Sequence, residues 1–216
     1  MTGKAIIVGA GTYGEVYLHH LRAAGVTVIG FLDDAAEVIG NEIGGVRVLG
    51  TTAMIRDLCA QGIRALYAPI GNNVVRVRLH ELARSHGLDT PNFIHQSAIV
   101  DSKIEPNTGV FVLPGSIIMP SSSIGLDVMI SANVSVAHHT RLDQGVFLST
   151  KASVGANIHV GSCAYVGMGG TLVTGKVRQI GKNATIGAGS VVTKDVLPNT
   201  TVAGVPARQL EKELVC

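Results

Sequence analysis

The sequence predicts a two-part α/β chain, with a small parallel-sheet domain over residues 1–95, a parallel β-helix over 96–206 and a C-terminal tail over 207–216. Three observations predict it. Short apolar runs alternate with amphipathic stretches over the first ninety or so residues, the helical pattern stops near residue 98, and an aliphatic residue then recurs at every sixth position. The 216 residues suffice for one large domain or two small ones. A hydrophobic fraction of 46% against 15% charged residues excludes a disordered chain. With 27 glycines, no tryptophan and four residues each of Phe and Tyr, the pattern calls for tight turns around a thin core of small branched side chains.

In the first part, Ala5-Ile-Ile-Val-Gly9, Thr27-Val-Ile-Gly-Phe31 and Ala65-Leu-Tyr-Ala-Pro-Ile70 have the length and composition of strands. The stretches Glu15 to Ala24, Met54 to Ala60 and Val74 to Ser85 have helical periodicity, which gives a βαβαβα order. Apolar runs of this kind suit strands buried on both faces, hence a parallel sheet. Gly9-x-Gly11-x-x-Gly14 lies between the first strand and the first helix, and Asp33 follows nineteen residues on. That spacing matches the dinucleotide fingerprint, in which a tight turn and a helix N-terminus cradle a pyrophosphate. Ninety residues hold only a Rossmann-like half domain.

In the second part the aliphatic positions run Val112, Ile118, Ile124, Ile130, Val136, Leu142, Leu148, Val154, Val160, Val166 and Leu172. Val, Ile and Leu make up 63 of the 216 residues, so eleven consecutive matches have a chance probability of roughly 10⁻⁶. The period resumes at Ile180, Ile186 and Val192 after a slip of two, and a similar slip separates Ile104 from Val112. Position i+1 is glycine after Ile124, Val154, Val160, Val166, Ile180 and Ile186, while position i+4 is small or branched, as at Val128, Val134, Val146, Ala152, Ile158, Ala164 and Ala184. Positions i and i+4 therefore face inward, with the chain turning at the glycine. Three hexads close one coil of eighteen residues, and coils stack at the ~4.8 Å inter-strand spacing. Residues 112–196 make between four and five coils.

Net charge is +2, from 17 basic and 15 acidic residues with no basic stripe, so no nucleic acid is expected as a partner. No apolar run approaches the roughly 18 residues of a membrane-spanning helix, and no charged leader precedes a cleavable end, so no membrane insertion is expected. Cys59, Cys163 and Cys216 lack CxxC spacing and are expected to be free thiols. These features together suit a cytoplasmic protein.

The hexads, Ile186-Gly-Ala-Gly-Ser-Val-Val-Thr-Lys-Asp-Val196 and Val202-Ala-Gly-Val-Pro-Ala-Arg208 resemble the hexapeptide-repeat acyltransferases. Gly9-Ala-Gly-Thr-Tyr-Gly14, Phe31-Leu-Asp-Asp34, Ile70-Gly-Asn-Asn73 and Phe93-Ile-His-Gln-Ser-Ala98 are similar to the nucleotide-sugar N-acetyltransferases of the sialic-acid O-acetyltransferase type. The resemblance covers nearly the whole chain. It implies a left-handed β-helix, acetyl-CoA as co-substrate without a metal, a homotrimer with the coenzyme between neighbouring solenoids, and transfer to the amino group of a nucleotide-linked 4-amino-4,6-dideoxy sugar.

Acyl transfer from a thioester needs a base for the acceptor proton, and histidine is the side chain suited to that at neutral pH. In Ser135-Val-Ala-His-His-Thr140, His138 occupies position i+2, outside the inward set. The family places its catalytic histidine four residues before the aliphatic that is here Leu142, which selects His138. The family usually follows it with a carboxylate that orients the imidazole. This chain has His139 there, which can accept a hydrogen bond from His138 but supplies no fixed negative charge, so a weaker base is expected unless another acid such as Asp143 reaches in. The resemblance assigns the acyl-coenzyme groove to Phe147, Gly155, Ala156, Met168 and Ala188, with Phe147 standing where a second histidine is common. It assigns the sugar nucleotide to Gly11, Thr12, Tyr13, Asp33, Asp34 and Gly71, and Arg76 is the natural partner for a diphosphate. Tyr13 stands where relatives often have histidine.

Rival functions stay open. Sugar O-acetylation would use the same machinery. A zinc hydro-lyase on such a solenoid needs three converging histidines, whereas His138, His139 and His159 miss the 18-residue stacking period. An NAD-dependent oxidoreductase and a non-catalytic sugar-nucleotide-binding protein are the others.

Overall fold

The computed structural model describes residues 4–210, which form two compact units. One holds the residues up to Phe93 together with Pro106–Gly109, and the other holds Ile94–Glu105 and the chain from Val110.

The first unit is built on β1 (Lys4–Val8), β2 (Thr27–Leu32), β3 (Glu42–Ile43), β4 (Val46–Gly50) and β5 (Ala65–Tyr67), in the order β3-β4-β2-β1-β5. Ala5, Ile6, Ile7 and Val8 are all at most 1% exposed, which is why β1 is a continuous apolar run and not an alternating one. Helices α1 (Thr12–Ala23), α2 (Ile55–Leu58) and α3 (Asn73–Ser85) flank the sheet. Asn72 caps α3 by accepting a hydrogen bond from the Val75 amide at 3.1 Å. Two features differ from the sequence expectation. The helix expected over Met54 to Ala60 is the single turn α2, preceded by a 3₁₀ turn at Thr52–Met54. Residues 42–50 form an antiparallel hairpin whose second strand runs parallel to β2. Its turn, Gly44-Gly45, takes φ of 55° and 73°, and the alternation of Val46 and Val48 (buried) with Arg47 and Leu49 (exposed) is a half-buried strand pattern.

The second unit is a left-handed parallel β-helix of three sheets. Val136 pairs with Ile118 and Val154, Leu142 with Ile124 and Val160, and Leu148 with Ile130 and Val166, so partners stand eighteen residues apart as expected. The core is the i and i+4 set, with Val128, Val134, Val146, Ala152, Ile158, Ala164 and Ala184 all at most 1% exposed. The slip after Leu172 is taken up by a turn that seats Val177 in the core.

The glycine at i+1 does not make the turn. The corner lies at i+3, where Asp127, Asn133, His139, Lys151, Asn157, Cys163, Asn183 and Asn199 all have φ between 56° and 60°. This left-handed conformation favours Asn, Asp and Gly, which accounts for Asp127, Asn133, Asn157, Asn183 and Asn199, while His139, Lys151 and Cys163 take it because the turn imposes it. Glycine at i+1 answers to a different constraint. A Cβ on Gly161 would stand 2.8 Å from the Lys182 amide nitrogen, and one on Gly167 2.7 Å from that of Ala188, so the next coil leaves no room. Ala207–Gln209, expected in the tail, is a strand antiparallel to Thr201–Gly204, and the Val205-Pro206 peptide between them is cis. Cys216 lies outside the described residues, and Cys59 and Cys163 form no disulfide with each other.

Two substitutions separate the two constraints. Gly161→Ala should destabilise the β-helix by about 1–3 kcal/mol through overpacking against the next coil. Lys151→Asn should stabilise it by up to about 1 kcal/mol, because asparagine tolerates the left-handed corner. Urea unfolding measures both, and equal effects of one sign would contradict the distinction.

Candidate functional sites on the two units

On the first unit the loop from β1 to α1 carries the glycine fingerprint. Gly9 has φ 103°, and a Cβ on Gly14 would fall on the Gly9 carbonyl oxygen, so both are required by backbone geometry. Gly11 caps α1 without a side-chain hydrogen bond, and Thr12 and Tyr13 open the helix with exposed side chains. Asp33, at the end of β2, ties this loop down. Its Oδ2 accepts from the Ala10 amide at 2.7 Å and its Oδ1 from the Ala35 amide at 2.9 Å. Asp34 accepts from the Thr52 amide and hydroxyl at 2.8 and 2.9 Å. Both aspartates line a cavity of about 350 Å³ with Gly9, Thr52, Ile70, Val75, Arg78 and Leu79. Gly11, Thr12, Tyr13 and Gly71 are exposed and do not contribute to that lining.

Arg76 is not placed to meet a diphosphate. It is 1% exposed, and its Nη1 donates to the Ile70 carbonyl at 2.8 Å and to Asn73 Oδ1 at 2.9 Å. Its charge also acts on Tyr17, whose hydroxyl burial pushes far above the ordinary range while Arg76 pulls it down. Arg76 buttresses the Ile70–Asn73 turn from beneath. The cation at the cavity is Arg78, which sequence reasoning missed. The helical period held the signal, since the buried stripe of α3 runs Asn73, Arg76, Leu79, His80 and Ala83 and leaves Arg78 off it.

On the β-helix, His138 is half-buried at an outward i+2 position and His139 occupies the left-handed corner after it, with φ 57°. Their Nδ1 atoms are 2.9 Å apart, with the rings at 89°. The backbone here is held from both neighbouring coils. His139 donates its amide to the Pro120 carbonyl at 3.4 Å, and the His138 carbonyl accepts from the Asn157 amide at 3.2 Å. Asp143 does not serve the pair. Its Oδ1 accepts from Arg141 Nε at 2.8 Å, and its Oδ2 faces His159 Nε2 at 2.7 Å. Burial works against its charge, but the hydrogen bonds and charges of His159 and Arg141 prevail and hold the carboxyl below its usual range.

Val136, Val154, Leu172 and Val192 pair in succession, so His138, Ala156, Thr174 and Lys194, each two residues further on, share one edge of the prism. The Ala156 amide donates to Thr174 Oγ1 at 3.0 Å, and Gly155 lies beside it against the Leu172–Thr174 backbone. Lys194, a residue the sequence reading did not select, stands three coils from His138, about 14 Å at the inter-strand spacing. Met168 and Ala188 lie together on another edge, where the Gly189 amide donates to the Met168 carbonyl at 2.8 Å. Phe147 is 4% exposed on a face of the prism, its ring 5.2 Å from that of Tyr165. One protomer therefore does not gather the five expected coenzyme residues in one place.

Comparison with known proteins gives the class. Residues 4–83 match the PglD N-terminal domain family. The chain is 31% identical to a histidine-to-asparagine variant of perosamine N-acetyltransferase from Caulobacter crescentus, solved with CoA and GDP-perosamine. The match covers 98% of this chain and 99% of that one, with a TM-score of 0.89. WeeI from Acinetobacter baumannii AYE is 26% identical over 95% of this chain and 99% of its own, with a TM-score of 0.84. Galactoside O-acetyltransferase from Escherichia coli K12 is 36% identical over 96 residues, which are 42% of this chain and 43% of that protein. The chain thus spans about two fifths of the length of the curated relatives it matches. It belongs to the hexapeptide-repeat acyltransferases. Its first eighty residues place it with those that carry a PglD N-terminal domain. Among the described residues no helix is long and apolar enough to cross a membrane.

Arg76→Ala should destabilise the first unit, at about 1.5–3 kcal/mol for each hydrogen bond of the charged group lost, as read from urea unfolding. Arg78→Ala should not. Asp143 has a depressed folded-state pKa, so its contribution is fully present above the unfolded carboxylate value and is lost as pH falls through the lower folded value. The melting-temperature difference between wild type and Asp143→Asn should therefore be present at about pH 5 and shrink as pH falls below about 4. A difference that grows below about pH 4 would contradict this ion cluster.

Proposed function

We propose that the protein is an acetyl-CoA-dependent N-acetyltransferase acting on the amino group of a nucleotide-linked 4-amino-4,6-dideoxy sugar, with His138 as the general base. The observation that carries this reading is His138 itself. It is an outward-facing imidazole on a β-helix edge that ends three coils on at Lys194, in a chain 31% identical over 98% of its length to perosamine N-acetyltransferase. In direct transfer the acceptor nitrogen attacks the thioester carbonyl carbon and its proton passes to His138 Nε2, since Nδ1 faces His139. The C–S bond then breaks, and the proton moves from His138 to the leaving thiolate. The edge suits the coenzyme on length, because about 14 Å is comparable to an extended pantetheine arm, and Lys194 supplies positive charge at its far end.

The nucleotide part belongs to the first unit. Asp34 and Thr52 offer polar groups along the cavity, Val75 and Leu79 offer apolar surface, and Arg78 offers a bidentate partner for a diphosphate. GDP-perosamine in the Caulobacter crescentus complex supports a sugar nucleotide as ligand. We take the active form to be a homotrimer, because Ala156 shares an edge with His138 whereas Met168 and Ala188 lie on another, so a groove using both edges needs a neighbour. We take the location to be cytoplasmic, where thiols such as Cys59 and Cys163 stay reduced.

A thiol-release assay with acetyl-CoA across UDP-, GDP- and dTDP-linked 4-amino sugars should find one efficient acceptor, and release only with hydroxyl sugars would make the enzyme an O-acetyltransferase. His138→Ala should lower kcat by about 10²–10⁴-fold with little change in either KM. Arg78→Ala should raise KM for the sugar nucleotide by about 10- to 150-fold and leave that for acetyl-CoA almost unchanged. Equal effects on both substrates would remove Arg78 from the nucleotide site. A 22.4 kDa monomer by light scattering at micromolar concentration would contradict the trimer.

A further inference from the structure

We infer that His139 is a positioning residue whose imidazole accepts the Nδ1–H of His138 and so fixes the tautomer of the base, with no carboxylate in contact. This rests on the reading of His138 as the base. At 2.9 Å between the two Nδ1 atoms, one of them carries the hydrogen. If His138 donates, its Nε2 is left with a lone pair and can take the acceptor proton. The opposite tautomer would protonate His138 Nε2 and stop the reaction. The perpendicular rings, at 89° with centroids 5.1 Å apart, bring the nitrogens together edge to edge without stacking.

The backbone keeps this arrangement in place. His139 sits in the left-handed corner, with its amide bonded to Pro120 on one coil and the adjacent His138 carbonyl bonded to Asn157 on the next. Those two coils present Pro120, Ser121, Ala156 and Asn157 here, none of which titrates. Further along, the charged groups are Arg141, Asp143 and His159, and both Asp143 oxygens are engaged by the other two.

The test compares pH profiles of kcat for wild type, His139→Ala, His139→Asn and His139→Asp. His139→Ala should lower kcat by about 3- to 10-fold, the worth of one hydrogen bond, with both KM values unchanged. His139→Asn should restore most of that loss, because its side-chain carbonyl accepts the same hydrogen bond and the residue suits the corner. His139→Asp should move the acidic limb to higher pH, since a fixed negative charge stabilises the imidazolium that wild type forms without one. If His138→Ala abolishes turnover while all three His139 variants keep the wild-type kcat and acidic limb, the inference fails and the base assignment stands. If His138→Ala keeps full turnover, the base assignment itself fails. If kcat falls in step with the melting temperature in all three variants and the limb does not move, His139 is only a fold residue.

Discussion

Stacking flat coils one strand spacing apart is the constraint on which the β-helix depends. Each coil must turn three times within eighteen residues, and each turn must clear the coil above it. The chain meets these demands at different positions of the hexad. Position i+3 takes the left-handed conformation, which favours Asn, Asp and Gly on steric grounds. Position i+1 lies against the next backbone, which calls for glycine where the space is shortest, as at Gly161 and Gly167. Positions i and i+4 fill the interior with Val, Ile, Leu and Ala. Position i+2 and the outward strand position carry the least of this demand.

That division accounts for where the candidate active site lies. His138 is at i+2, the position with least structural demand, so a polar ring there costs the core nothing. His139 is at i+3, where its conformation is fixed by the turn and not by its own side chain. The corner thereby delivers the second imidazole to the first. Asp143 sits at i+1 of the following hexad and is drawn into a cluster with Arg141 and with His159 of the next coil. Pairing across coils, more than proximity along the chain, decides which acid serves which histidine.

The parallel-sheet unit uses its polar residues differently. Asp33 and Asp34 line the cavity and also clasp the loops that shape it, through Ala10, Ala35 and Thr52. Arg76 lies beneath the surface as a support for the Ile70–Asn73 turn, and Arg78 on the same helix reaches the cavity. Two arginines two residues apart therefore serve opposite ends, one structural and one available to an anion. The difference follows from the 3.6-residue period, which carries one toward the sheet and the other away from it.

The hexad period by itself determined the stacked coils, their eighteen-residue repeat and their interior, because a solenoid core depends on local pattern repeated and on little else. The glycine spacing and the apolar runs likewise determined the parallel sheet and its loop. Three matters were left to the tertiary structure. The turn position was hidden because glycine at i+1 and Asn at i+3 both look like turn residues, and only the backbone angles separate them. The strands at 42–50 were hidden because the edge hairpin is short and gains its order from pairing with β2. The partners of His138, Asp143 and Arg76 were hidden because a side chain's hydrogen bonds depend on neighbours a coil or a loop away, and sequence order does not record which of them comes within 3 Å.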